Sequence, residues 1–269
     1  MTKQTIGFIG LGDMGEPMAS RLLDHGYQVL SSVHRRRDAI ERLKAKGIVE
    51  KKNPREVATE CDIFISIVVD QAQTEHVLRG PDGALGSLKP GSTVLLMSTL
   101  APAYCRTVAS ELRDKEIDLV DCPVSGGPMG AEKGTLALIA GGNAAAVERC
   151  RPALETMGTV YPCGPVGMGM VAKLANNAVG LLTIPLVREA RAMAAAHGMD
   201  MDTLMTVMRA GTANSFIVQA WSWVEAYGEK GAPVAMKDLQ LCKEAASAQG
   251  IAMPMLDLAL SVGPKSISP

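Results

Sequence analysis

The sequence predicts an α/β domain built on a doubly wound, mostly parallel sheet over residues 1–164. An all-α domain over residues 165–269 follows it. Three observations predict this. Short apolar runs alternate with helical patterns as far as Tyr161, the order that produces parallel sheets. From Asp200 onward only helical patterning is present. Between the two, a long apolar helical pattern opens at Gly167 and extends from about Met168 to His197, with Gly198 placed to end it.

Composition narrows the function classes. A chain of 269 residues holds one large domain or two modest ones. Hydrophobic residues make up 47% and charged residues 20%, as in an ordinary globular protein, while aromatics reach only 3%. The core is therefore expected to consist of small aliphatic side chains with Met as filler. A net charge of −1 offers no basic surface for nucleic acid or anionic lipid. The six cysteines, at 61, 105, 122, 150, 163 and 242, form no C-x-x-C pair and no Cys/His cluster. That pattern indicates neither a metal site nor a disulfide framework, and reduced thiols suit a cytoplasm. Met-Thr-Lys-Gln leads straight into a strand with no signal peptide, and no apolar run approaches the ~18 residues of a membrane span.

Thr5–Ile9 is the first strand, followed at once by Gly10-Leu11-Gly12-Asp13-Met14-Gly15 and a helix from Pro17 to about Leu23. This is G-x-G-x-x-G with a strand before it and a helix after it. The chemistry of dinucleotide binding needs each glycine. Gly10 makes the tight turn, Gly12 admits a pyrophosphate to the backbone, and Gly15 lets helix and strand pack closely. The helix start offers N–H groups and a positive dipole end to phosphate. The alternative is a glycine-rich structural turn.

Tyr27–Val33 is the second strand. At its end, where an acidic residue would favour NAD, stands His34-Arg35-Arg36-Arg37. Arginines there suit a 2′-phosphate, so NADP is favoured over NAD, with His34, Arg35 and Arg36 as cofactor candidates, Arg35 foremost as the phosphate contact, and with simple exposure to water as the alternative for Arg36 and Arg37. A solvated basic turn is the alternative. Cys61–Asp70 and Thr93–Met97 read as buried parallel strands. Loops at such strand ends line the ligand crevice, which makes Val69 and Thr99 candidates for cofactor contact or simply loop and core residues. Pro102 starts a helix to about Lys115, and Ile117–Asp121 is a further strand. Ser125-Gly126-Gly127 then presents a hydroxyl and open backbone N–H groups, either a nest for a substrate carboxylate or a hairpin loop. Leu136–Gly142 is a strand, Ala144–Glu155 a helix, and Thr159–Tyr161 closes the sheet.

The pattern after Gly167 holds Lys173 and Asn177, four residues apart and so on one helix face. A lysine facing a cleft can exchange a proton, because burial readily lowers its pKa, and an asparagine one turn on can hold the amine or a substrate hydroxyl. The alternative is a solvated lysine and a surface amide. Pro185 is expected to kink the helix. Gly211–Phe216 reads as a loop or helix start, and Met236 opens another helix to about Gly250. Lys237 and Asp238 within it form a surface ion pair or reach towards the cleft.

Together these residues resemble the β-hydroxyacid dehydrogenases, which include 3-hydroxyisobutyrate dehydrogenase and tartronate semialdehyde reductase. The 6-phosphogluconate dehydrogenases and imine reductases are more distant members of the superfamily. The resemblance rests on Gly10-x-Gly12-x-x-Gly15 with Met18-Ala19, on Ser98-Thr99, and on Asp121-x-Pro123-Val124-Ser125-Gly126-Gly127 with Gly134-Thr135-Leu136. It continues in Gly167-x-Gly169-x-x-x-Lys173-Leu174-x-Asn176-Asn177 and Lys237-Asp238-Leu239. The resemblance implies an N-terminal Rossmann domain, a long interdomain helix and a helical domain that also mediates dimerisation, in a homodimer or homotetramer. It implies Lys173 as general acid/base, Asn177 orienting it, Ser125, Gly126 and Gly127 on the substrate carboxylate, and Lys237 at the cofactor–substrate cleft. His34-Arg35 takes the place of the Asn-Arg of NADP-using members. Three departures stand out. Leu96 occupies a position often held by aspartate, Pro185 and Trp221/Trp223 are this chain's own, and the chain ends about one helix earlier than the family pattern. The implied activity is interconversion of a small 3-hydroxy acid and its semialdehyde or keto acid. Imine reduction and an inactive NADP-binding sensor or scaffold are the alternatives.

Overall fold

The computed structural model describes residues 3–33 and 37–263. It divides into two compact units, one ending at Lys173 and the other starting at Leu174.

The first unit is a sheet with helices in its connections. Its chain order opens β1 (Ile6–Ile9), α1 (Gly15–Asp24), β2 (Val29–Ser32), α2 (Asp38–Lys44), β3 (Val49–Lys51) and α3 (Pro54–Glu60). It continues β4 (Ile63–Ser66), α4 (Gln71–Arg79), β5 (Thr93–Leu96), α5 (Pro102–Arg113) and β6 (Asp118–Asp121). The six strands are parallel in the order β3-β2-β1-β4-β5-β6. Strand order reverses between β1 and β4, which opens a crevice at their carboxyl ends. Successive side chains alternate between two cores. Ile6, Phe8, Ile63, Ile65 and Leu95 enter one, and Phe64, Val94 and Leu96 enter the other. Both faces are thus covered, which is why these strands read as unbroken apolar runs.

Then come β7 (Val124–Ser125), α6 (Gly127–Lys133), β8 (Leu136–Gly142), α7 (Ala144–Leu154) and β9 (Gly158–Gly164). β8 runs antiparallel to β6 and to β7, while β9 is parallel to β8. Side-chain caps start several helices. Asn53, Asp70 and Asn143 accept backbone N–H groups of Glu56, Gln73 and Ala145 at 2.8–3.0 Å. Some elements carry too little period to be legible in the sequence. β3 is three residues long and β7 two, and α6 occupies a stretch that reads as a loop because four of positions 126–134 are glycine.

The helix α8 (Met168–Ala196) begins in this unit. Its first N–H groups have no intrahelical partner. A carboxylate from the sheet supplies one. Asp121, at the end of β6 and fully buried, accepts the Gly167 N–H on Oδ1 at 2.6 Å and the Met170 N–H on Oδ2 at 2.7 Å. Gly169 makes the approach possible, since a Cβ there would lie 2.4 Å from the Ile139 carbonyl oxygen and 2.5 Å from that of Asp121. Burial pushes the Asp121 carboxyl up to about 6, against the pull of the two N–H groups and of nearby Arg106.

α8 ends as the sequence predicts. Gly198 has φ +74°, and the Met199 N–H bonds the Ala194 carbonyl at 3.1 Å. The helix runs on through Pro185. An 18-residue window of α8 has mean hydropathy 1.4, so by length and composition it passes for a membrane span. This corrects the expectation that no stretch is apolar enough. Polar residues interrupt every apolar run, whereas the mean averages over them. Of that window 33% is buried; Lys173 and Asn177 on the same helix are buried, and its first turn is held by Asp121.

The second unit holds α8 from Leu174, α9 (Met201–Ala210), α10 (Phe216–Gln219), α11 (Trp221–Ser247) and α12 (Pro254–Val262), with no strand among the described residues. Ile184 and Val187 pack with Met205, Val218, Trp221 and Val224, while Leu174 and Ala178 pack with Leu239, Cys242 and Leu256. Trp223 stacks on Tyr227 at 4.9 Å. α11 corrects the expectation of a helix opening at Met236. It starts at Trp221 and passes through Pro233. The buried face of Trp221, Val224, Ala232, Leu239 and Cys242 keeps helical spacing across the proline and offsets the one hydrogen bond it removes.

The raised Asp121 pKa has a stability consequence with a definite sign. The folded state binds this proton more readily than the unfolded chain, so the contribution is complete at low pH and disappears as pH rises through about 6. Asp121→Asn lacks this term. The lead of wild type over Asp121→Asn is expected to be about 1 kcal/mol greater at pH 5 than at pH 8. Thermal unfolding of both proteins at the two pH values checks it, and an equal gap would contradict the buried, ionisable clamp.

Candidate active site

The glycine-rich loop joins β1 to α1 at the reversal of strand order. Gly10 has φ +109°, and a Cβ on it would lie 2.0 Å from the Ile67 carbonyl oxygen. A Cβ on Gly15 would lie 1.7 Å from the Gly10 carbonyl oxygen. Neither position admits a side chain. Gly12 differs, because its Cβ position meets nothing within 4 Å. Gly10 and Gly15 therefore hold the turn closed, and Gly12 opens it to a ligand. No side chain caps the start of α1, where Met14 is the N-cap. Leu11, Asp13 and Met14 complete a loop whose backbone can face a pyrophosphate at a helix N-terminus. The residues present therefore fit a dinucleotide.

Val69 and Thr99 follow β4 and β5 at the same end of the sheet. Val69 is a large apolar residue left 54% exposed. The two loops are tied together by the Ser98 hydroxyl, which accepts the Val68 N–H at 2.8 Å. Ser98 is buried and was legible only as part of a Ser-Thr pair. His34, Arg35 and Arg36 lie outside the described residues. Arg37, expected to face water, is exposed but engaged, with Glu41 and Glu50 each at 2.9 Å. Those partners raise its pKa further, the Glu50 hydrogen bond foremost.

Ser125 ends β7, and Gly126 and Gly127 follow at φ +131° and +63°. The hairpin loop is thus a strand-to-helix turn, its glycines in conformations open to few other residues. Lys173 closes the first unit. It is 8% exposed, so the solvated-lysine reading fails. Asn177, one turn on along α8, is 9% exposed.

Within the second unit Asn177 has a partner that the sequence offered only beside Lys237, as half of a surface ion pair or as reaching towards the cleft. Its Nδ2 donates to Oδ2 of Asp238 at 2.7 Å. Asp238 is 5% exposed, and Lys237 pairs with its other oxygen at 2.9 Å. The surface ion pair is therefore a buried carboxylate with a partly buried lysine beside it. A carboxylate only accepts hydrogen bonds, so Asp238 fixes which end of the Asn177 amide faces it. The amide oxygen points the other way, where it accepts from the Asn176 Nδ2 at 3.3 Å. The signal that would have found Asp238 is its position next to Lys237 on the apolar face of α11, one before the fully buried Leu239.

Residues 5–169 match the NAD binding domain of 6-phosphogluconate dehydrogenase, and residues 167–263 match the NAD-binding domain of NADP-dependent 3-hydroxyisobutyrate dehydrogenase. The chain is 35% identical over 269 residues to the NAD-dependent L-serine dehydrogenase of Pseudomonas aeruginosa, covering 96% of this chain and 90% of the relative. It is 33% identical over 260 residues to the 2-hydroxy-3-oxopropionate reductase of Escherichia coli, covering 93% and 86%. The crystal structure of 3-hydroxyisobutyrate dehydrogenase from Salmonella typhimurium superposes with a TM-score of 0.85 at 28% identity, over 96% of this chain and 92% of that one. An imine reductase from Myxococcus stipitatus shares the fold alone, at 20% identity and a TM-score of 0.70. With its dinucleotide loop, sheet order and helical second unit, the chain belongs to the β-hydroxyacid dehydrogenase family, and it is an NAD(P)-dependent oxidoreductase acting on hydroxyl groups.

Proposed function

We propose that this enzyme interconverts a small 3-hydroxy acid and its semialdehyde or keto acid with NADP(H), using Lys173 as general acid and base. The observation that carries the reading is the buried pair on α8, Lys173 and Asn177, with the Asn177 amide oriented by Asp238. The nicotinamide supplies or takes the hydride at the carbon that bears the oxygen. In reduction Lys173 gives its proton to that oxygen, and in oxidation it removes the hydroxyl proton. Asn177 offers its amide oxygen to the lysine amine or to the substrate hydroxyl. Ser125, Gly126 and Gly127 hold the substrate carboxylate through a hydroxyl and backbone N–H groups. Gly10, Leu11, Gly12, Asp13, Met14 and Gly15 hold the pyrophosphate. Val69 and Thr99 border the cofactor, and Lys237 adds a cation on its side.

His34, Arg35 and Arg36 support NADP, since a 2′-phosphate suits clustered cations and no acidic residue stands there. The P. aeruginosa relative is by name NAD-dependent, so the arginines carry this part of the proposal. Small substrates fit the relatives' names, and L-serine and 2-hydroxy-3-oxopropionate belong in the first panel with 3-hydroxyisobutyrate. The presence of lysine at 173 favours hydroxy acids over imines. A homodimer or homotetramer is part of the proposal, as is a cytoplasmic setting for the six thiols.

Three outcomes are expected. Lys173→Ala loses about 10²–10⁴-fold in kcat and binds NADPH as wild type does, as steady-state rates and a fluorescence titration will show. Undiminished kcat would exclude Lys173 as the proton donor. Arg35→Ala weakens NADPH binding by about 10- to 100-fold, the worth of a charge-assisted hydrogen bond, and leaves NADH binding unchanged. Equal losses for both nucleotides would remove the 2′-phosphate assignment. Asp238→Asn releases the Asn177 amide and lowers kcat by about tenfold at an unchanged NADPH affinity. A wild-type rate in that variant would show that Asn177 needs no orienting partner.

A further inference from the structure

We infer that Asp121 is a positioning residue for Lys173, acting through the first turn of α8. The inference rests on the reading of Lys173 as the acid/base group. Asp121 and Lys173 are joined by a short chain of observed contacts. The two carboxylate oxygens take one N–H each, Gly167 at 2.6 Å and Met170 at 2.7 Å. Those donors are three residues apart, so both bonds form only at one height and one rotation of the helix. Sliding α8 by a residue, or turning it by one position, takes at least one N–H out of reach. Met170 is fully buried, and its sulfur accepts the Leu100 N–H at 3.4 Å, a second hold on the same turn. Lys173 stands three residues after Met170 and therefore on nearly the same face. The backbone position from which the Lys173 side chain extends is set by the same two bonds.

Only a carboxylate does this. Both partners are donors, and an asparagine has one acceptor oxygen, so its NH₂ would confront the other N–H. Nor does the contact leave room for adjustment. A Cβ on Gly141 would lie 2.5 Å from the Gly169 nitrogen and 2.7 Å from Oδ1 of Asp121. The helix start rests on the sheet backbone itself, and the N-terminal dipole favours the negative charge.

The experiment compares wild type with Asp121→Asn, Gly141→Ala and Lys173→Ala. Gly141→Ala leaves the carboxylate in place and drives a methyl between it and the helix, so it carries the comparison if Asp121→Asn does not fold. Hydrogen exchange of peptides covering 167–174 is expected to speed about tenfold in both clamp variants, with the sheet peptides unchanged. NADPH affinity, read by fluorescence titration, is expected to hold. For the best substrate of the panel, kcat is expected to fall by about 10- to 100-fold at constant KM, the cost of misplacing a catalytic group. Unchanged exchange and kcat overturn the inference, and so does a loss of NADPH affinity in step with kcat, which would mark a merely structural role. Wild-type turnover in Lys173→Ala removes the acid/base reading and the inference with it. That failure is distinguishable, because exchange at 167–174 would still respond to Asp121→Asn.

Discussion

The hold of Asp121 on the start of α8 is the constraint on which the candidate active site depends. A long helix leaving a sheet has its first N–H groups unmet, and in this enzyme a fully buried carboxylate from β6 meets two of them. Burying a charge is costly, and burial outweighs the two N–H bonds enough to push the carboxyl up to about 6. The cost is tolerable because both oxygens find donors and lie at the positive end of a helix. Gly141 and Gly169 clear the space for the contact, so three separate segments of the chain, at Asp121, at Gly141 and at 167–170, act as one joint.

The cofactor loop follows a different logic. Its rigidity is steric rather than electrostatic. Gly10 and Gly15 are closed in by carbonyl oxygens, and the one glycine with empty space before it, Gly12, is where a phosphate can reach the backbone. The adjoining loops are braced instead by a hydrogen bond, from the Val68 N–H to the buried Ser98 hydroxyl.

The helical unit adds orientation. Asn177 alone is ambiguous, since its amide presents a donor at one end and an acceptor at the other. Asp238 resolves the ambiguity by demanding the donor. Both partners are buried, which makes the contact stronger than the same contact on a surface.

What the sequence determined by itself is whatever depends on local spacing. The strand–glycine–helix order of residues 5–23 states a dinucleotide turn, because each glycine answers a backbone requirement within a few residues of itself. Unbroken apolar runs in β4 and β5 announce strands buried on both faces, Gly198 announces the end of α8, and four-residue spacing puts Lys173 and Asn177 on one face. Contacts between distant segments were decided only by the tertiary structure. Asp121 was legible as the end of a strand and as part of a motif, but not as the cap of a helix 46 positions on. Asp238 read equally well as a surface partner of Lys237. α6 and β3 are too short to show a period, and α11 hides its continuity behind Pro233. A hydrogen bond between residues far apart leaves no pattern in either neighbourhood. Folding alone brings the carboxylate and the N–H groups together, and burial then makes that meeting obligatory.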